Sequence, residues 1–310
     1  MSDTLFKREW KVQVDNLDVS NLHLEFKILR TLKKEPNKAT LVLWNLSRDH
    51  MAQLQKRNNP NPGKKLVGVP VQIEAGYEGN TSVLFSADLR EVGSTKEDTN
   101  WKTTIAGDDG GRAYREGRIN TQFTKGTAIA DVLRQCCNSM GIGLGNSSSF
   151  TANAQIAGIG STLPHTLTAS GNTADVLDRL IKSIGLTWSV QSGALQILKK
   201  GTPLDQEAIK ITPRTGLIGS PQASIDSTVS LGNPQQFAPG AKQKVAKQPV
   251  PKDPGIIKIK TLLIPGMVPG RKITLESEFY NGGYMITEVV YSGQSFGQEW
   301  YCDCVARLYT

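Results

Sequence analysis

The sequence is poor in the residues that usually carry chemistry: three histidines and four cysteines in 310 residues. His23 falls in a predicted strand, His50 at a helix start and His165 in a loop after Pro164, each without a motif partner. A Ser-His-Asp set can assemble from distant positions, but no Gly-x-Ser-x-Gly elbow points to one. The cysteines fall as Cys136-Cys137 and Cys302-x-Cys304, whereas structural zinc takes more widely spaced chelating pairs. Residues two apart on a strand are about 6.6 Å apart by rise, near the upper limit for a disulfide and badly oriented for one. Reduced, buried thiols are the expectation. No catalytic residue, metal ligand or cofactor site is assigned.

Long apolar runs are also missing. No stretch approaches the roughly 18 residues of a membrane span, and Met1 to Lys7 lacks an apolar core with a cleavage site. The expectation is a protein made in the cytoplasm without an export signal or stable membrane insertion. Gly141-Ile-Gly143-Leu-Gly145 follows a predicted helix, whereas phosphate-cradling loops follow a strand and open a helix. Gly107-Asp-Asp-Gly-Gly111 lacks the alternating ligands of a calcium loop and reads as a tight turn between domains. Basic and aromatic residues do not interleave on any predicted strand face, so no base-stacking platform is visible.

Positive charge is present in excess, a net +8, which suits nucleic acid, an anionic membrane surface or an acidic protein. Between Lys242 and Lys252 stand four lysines and no acid. The plain reading of that run is a solvated loop; Lys242, Lys244, Lys247 and Lys252 are the candidate partner-binding residues. From Gly219 to Gly255 the chain is rich in Pro, Gly, Ser, Gln and Lys, which predicts a long flexible loop near 222–254.

Period-two patterning dominates the rest. Trp10, Val12 and Val14 share one strand face, and Leu24, Phe26 and Ile28 another; Ala39 to Leu46 is a more continuous apolar run. Ser47 is a good cap for a short helix carrying Met51, Leu54 and Gln55, which stops before Asn58-Asn-Pro-Asn-Pro-Gly63. Strands resume at Val69 to Ala75, Val83 to Val92 and Trp101 to Ala106, with a turn at Gly76 to Asn80. The middle third predicts helices near 128–140 and 174–184, the second with Thr173 as cap, followed by a hairpin through Ser192-Gly193. Asp131-Val-Leu with Ser139-Met-Gly141 and Asp175-Val-Leu with Ser183-Ile-Gly185 repeat at identical offsets, each helix closing on a glycine suited to a left-handed cap. This pattern predicts a small α/β unit used twice. Strands return at Ile256 to Leu263, Lys272 to Glu278, Tyr284 to Ser292 and Glu299 to Leu308.

The run Val71-Gln-Ile-Glu-Ala-Gly-Tyr77-Glu-Gly79, with Leu84-Phe85 and the strand to Val92, resembles the tube-like domains of phage tail hubs. Pro36-Asn-Lys-Ala39 with Leu43-Trp-Asn-Leu-Ser47, and Ile105-Ala-Gly-Asp108, are similar to the same family's strand-to-helix passage and barrel-closing strand. A second stretch of resemblance runs through Thr215-Gly-Leu-Ile-Gly219-Ser-Pro221, Leu262-Leu263-Ile-Pro265, Pro269-Gly270, Tyr291-Ser-Gly293 and Gln298-Glu-Trp300. Two departures stand out: that family more often has Asn before the proline equivalent to Pro265, and Gln222 to Pro254 is longer than its usual connection.

The resemblance to the baseplate hub of contractile-tailed bacteriophages implies a mainly β chain with an α+β insertion. Two tube-like antiparallel β-barrel domains, 1–112 and 206–310, would flank a duplicated small α/β domain at 113–205. It implies a structural, non-enzymatic role as a homotrimer, whose six barrels ring the axis and adapt the sixfold tail tube to a threefold central spike. Implied partners are tail tube protein, central spike protein, tape measure protein and other baseplate proteins, with DNA only in transit through the channel. The implied location is the virion tail baseplate, assembled in the host cytoplasm. Two alternatives are carried: a tail-associated cell-wall hydrolase, and a nucleic-acid-binding protein using the Lys-rich loop.

Overall fold

A computed structural model describes residues 7–58, 68–146, 162–223 and 255–309. The candidates Lys242, Lys244, Lys247 and Lys252 lie outside the described residues.

Alternating polarity builds the first third. The strands are β1 (Arg8–Val14), β2 (Leu17–Asp18), β3 (His23–Thr31), β4 (Asn37–Trp44), β5 (Pro70–Tyr77), β6 (Asn80–Glu97) and β7 (Asn100–Asp109). They pair antiparallel in the order β3-β4-β7-β6-β5-β1-β2. In β3 the buried positions include Leu24, Phe26 and Ile28, as the period demands. Helix α1 (Arg48–Asn58) follows β4; the Ser47 hydroxyl accepts from the His50 amide, and Met51 and Leu54 are buried in the same core. Gln55, expected on the same stripe, is exposed. The β5–β6 hairpin is tighter than predicted: the strands extend to Tyr77 and from Asn80, leaving Glu78-Gly79 as the turn. Register shifts at Ile73/Glu74 and Leu89/Glu91 mark bulges, which bend strands and help a sheet curl.

The middle third holds α2 (Gly111–Glu116), β8 (Arg118–Phe123), α3 (Ile129–Met140), β9 (Leu167–Asn172), α4 (Thr173–Ser183), β10 (Leu186–Gln191) and β11 (Ala194–Lys199). The predicted repeat is visible in its hydrogen bonds. Ser139 Oγ donates to the Cys136 carbonyl and Ser183 Oγ to the Leu180 carbonyl, while the Gly141 and Gly185 amides donate to Asn138 and Lys182. Both glycines are left-handed, at φ 68° and 74°. Thr173 is not the cap: the Asn172 side chain accepts from the Ala174 amide, and Thr173 is the first helical residue, buried, with its hydroxyl 2.9 Å from that of Ser139. The residues of this third form a separate apolar core.

The last third holds β12 (Ile209–Ile211), β13 (Leu217–Ala223), β14 (Ile256–Leu262), β15 (Lys272–Glu276), β16 (Asn281–Gln294) and β17 (Trp300–Leu308). Of the loop predicted near 222–254, Gln222 and Ala223 are strand, paired with β14 beyond a bulge, and 224–254 lies outside the described residues. The chain is thus mainly β with an α+β insertion, two curled antiparallel segments flanking a duplicated α/β unit; β12 with β15 is a parallel exception.

The two β segments share one 13-stranded sheet and one core. β16 is the strand at which they meet. Its first residues pair with β15, Glu288 to Gln294 pair with β3, and β17 runs along its other edge. Trp300 closes the first segment from the far end of the chain: it is 1 % exposed, meets Trp10 and Phe26 edge-on at 5.9 and 5.5 Å, and donates its indole N–H to the Gly76 carbonyl. Gly293 stands opposite both Phe26 and Trp300, and a Cβ there would sit 2.3 Å from the Phe26 ring. The missing side chain is what gives Phe26 its place.

Candidate functional site

Among the described residues, the histidines do not converge with one another or with the cysteines. His23 stacks on Trp44 at 5.8 Å, His50 opens α1, and His165 is exposed in a loop. All four cysteines are free and buried; burial pushes Cys136 and Cys302 up to about 12 and Cys137 up to about 11. A thiol so placed is protonated at neutral pH and shielded. A colorimetric thiol reagent at pH 8 is therefore expected to label none of them in the native protein and all four after denaturation. No group of three or more His, Cys, Asp or Glu able to hold a metal occurs among the described residues. Among them, too, no helix is long and apolar enough to cross a membrane.

What does converge is a buried polar joint that fixes the α/β unit to the sheet. Asp109 ends β7, and its carboxylate accepts from the Ser192 and Gly193 amides at 2.5 and 2.7 Å, in the turn between β10 and β11. Ser192 and Gly193 both have positive φ, at 51° and 74°, the geometry of a tight two-residue hairpin whose amides are left free for an outside acceptor. Gln191 takes three donors on its oxygen, Arg30 Nε, Arg30 Nη2 and Asn37 Nδ2, and donates to the Thr31 carbonyl and the Ser189 hydroxyl. Arg30 also donates to the Leu84 carbonyl, and Asn37 to the Val190 carbonyl and to Asp109. Burial pushes the Asp109 carboxyl above its ordinary range, opposed by the Gly193 and Ser192 amides, Asn37 and the nearby Arg30 charge.

The Gly107-to-Gly111 motif is not the tight turn its composition suggests: Gly107, Asp108 and Asp109 are the last residues of β7, Gly110 is the bend and Gly111 opens α2. Gly110 is left-handed at φ 77°, and a Cβ there would lie 2.8 Å from Val190 Cγ1. Gly110→Ala is expected to cost about 2 kcal/mol from backbone strain and overpacking, read as a lowered denaturant midpoint. Beside the joint lies a cleft of ≈ 550 Å³ lined by Asp88, Asp109, Arg112 and Glu116 among others. Burial raises the Asp88 carboxyl, opposed by Arg112. Ser192 and Gly193, whose amides donate to Asp109, line the same cleft.

The surface offers contacts of another kind. The sheet path ends at β13 on one side and at β2 on the other. Phe279 and Phe296 are 69 % and 76 % exposed, in the turns that enter and leave β16. A strand of that length separates them by roughly 45 Å. The joint and these phenylalanines escaped the sequence analysis; a surface Phe next to Gly or Glu in a turn is the signal that was available.

No protein-family model matches the sequence, and no curated protein matches it. Solved structures do. A 43 kDa tail protein of prophage MuSo2 from Shewanella oneidensis is similar at TM-score 0.62 and 10 % identity, over 97 % of this chain and 96 % of that one. A tail protein from Neisseria meningitidis MC58 gives 0.59 at 9 % identity, over 98 % and 97 %. An E. coli component of the type VI secretion system, itself structurally similar to the T4 tail proteins gp27 and gp5, gives 0.56 at 10 % identity, over 97 % and 77 %. At these identities the likeness concerns fold: this chain has the fold of phage tail and baseplate proteins, in agreement with the hub resemblance.

Proposed function

We propose that the chain is a structural hub subunit of a contractile-tail baseplate. It acts as a homotrimer whose two β segments, 1–112 and 206–310, supply six ring units, with 113–205 to one side. The ring joins the sixfold tail tube to the threefold central spike and leaves a channel for the tape measure protein and DNA. The observation that carries this reading is the whole-chain match to tail proteins. Supporting it, the joint side chains spend their polar groups on one another, and exposed sheet edges suit pairing between subunits. Phe279 and Phe296 place an apolar contact at each end of β16.

Native mass measurement of the full chain with its spike partner tests the reading. A complex of three chains per spike trimer is the expected result; a monomer that binds neither spike nor tube overturns it. The carboxylates of the ≈ 550 Å³ cleft are what a cell-wall hydrolase would use. Turbidity clearing of cell walls by the purified protein, abolished in Asp88→Asn, would replace the hub reading with that one.

A further inference from the structure

Two dilysine turns, Lys33-Lys34 between β3 and β4 and Lys199-Lys200 at the end of β11, are far apart in sequence. The joint brings them together, because Arg30 at the end of β3 is bonded to Gln191 in the β10–β11 hairpin. Between them, and against the last strands, runs a groove of ≈ 500 Å³. Its apolar lining includes Leu32, Leu198, Ile256 and Met285, of which Leu198 and Met285 are buried and the other two half-exposed. Its charged lining is Lys33, Lys199, Lys200 and Arg307 against one carboxylate, Glu288. Lys34, by contrast, is paired with Asp178. Lys33, Lys199 and Lys200 are exposed and form no ion pair among the described residues.

We propose that this groove is a docking site for an extended acidic and apolar peptide segment of a partner protein. Ammonium groups left unpaired around apolar side chains are complementary to a strand that alternates carboxylates with aliphatic residues. No aromatic side chain lines the groove among the described residues, so it lacks the stacking surface that single-stranded nucleic acid uses. All three thirds of the chain contribute to its walls. An occupant would therefore contact the α/β unit and both β segments at once, reinforcing the joint from outside. The inference stands apart from the hub reading: a tail protein without this site would still be a hub, and the groove can bind whatever the assembly state.

Fluorescence anisotropy of the full chain tests it. The probes are a labelled peptide alternating Glu and Leu, its Glu-Ser and Lys-Leu counterparts, and a single-stranded oligo-dT of similar length. The Glu-Leu peptide is expected to bind and to weaken as salt rises from about 0.05 to about 0.5 M. It should lose about tenfold or more in affinity in Lys33→Glu/Lys199→Glu/Lys200→Glu. Those side chains are exposed, so an unchanged melting temperature will show that the variant is folded. Equal binding by the variant, tighter binding of oligo-dT, or no binding of the Glu-Leu peptide would each overturn the proposal. Equal binding of the Glu-Ser peptide would remove the apolar part of the site and overturn it as stated.

Discussion

Trp300→Ala is expected to lower the unfolding free energy by about 4 kcal/mol, the upper part of the range for deleting a large buried aromatic. The indole is 1 % exposed and lies between Trp10, Phe26 and the Gly76 carbonyl. Its removal opens a cavity where the last strand meets the first and leaves that carbonyl without its donor. Arg8, whose guanidinium lies 5.4 Å from the ring and donates to the Gly297 and Gln298 carbonyls, would lose its aromatic support. Equilibrium denaturation checks the size. Trp300→Phe, which keeps most of the volume, should recover most of the loss, and failure to do so would mean that the indole hydrogen bond dominates.

Asp109→Ala is expected to cost about 3 kcal/mol, because two part-buried backbone amides of the β10–β11 turn and the buried Asn37 side chain lose an acceptor together. Asp109→Asn keeps the shape but turns an N–H toward donors, so it should recover little. The ionisation of Asp109 has its own signature. Burial raises its pKa in the folded state above the ordinary 3.8, so the folded protein binds this proton more tightly than the unfolded chain does. The stability linked to this proton is fully present below the ordinary carboxylate pKa and is lost as pH rises through the raised value. The stability difference between wild type and Asp109→Asn should therefore shrink as pH climbs above about 4 toward neutrality. Denaturant titrations across that range measure it; a difference that grows with pH would contradict the assignment.

Much of the architecture could be read from residue order because one face of most strands is dry. β14, with Ile257, Ile259 and Thr261 buried between exposed lysines, states its register in its polarity, and the stripes of α3 and α4 do the same at helical spacing. β8 and β9 left no such trace. Only Ile119 and Phe123 of β8 and Ala169 of β9 are buried, so both read as polar connection. The meeting of β16 with β3 was invisible for a different reason: it pairs residues at opposite ends of the chain, and nothing local announces a partner so distant. The joint was hidden because its members, Arg30, Asn37, Asp109 and Gln191, each look like ordinary strand-end or turn residues. Their burial is a tertiary property, created when the hairpin turn docks. Part of the basic excess is legible as the run from Lys242 to Lys252; the groove shows that folding gathers another share of it from Lys33, Lys199 and Lys200.

The proposed role is geometric, a place for this chain in a ring between tube and spike. Electron microscopy of the assembled tail, with an antibody fragment raised against the α/β unit, tests it most directly. Three fragments around the tail axis, between the end of the tube and the spike, are the predicted result. Fragments bound away from that axis, or tails of normal structure assembled in the absence of this chain, would contradict it.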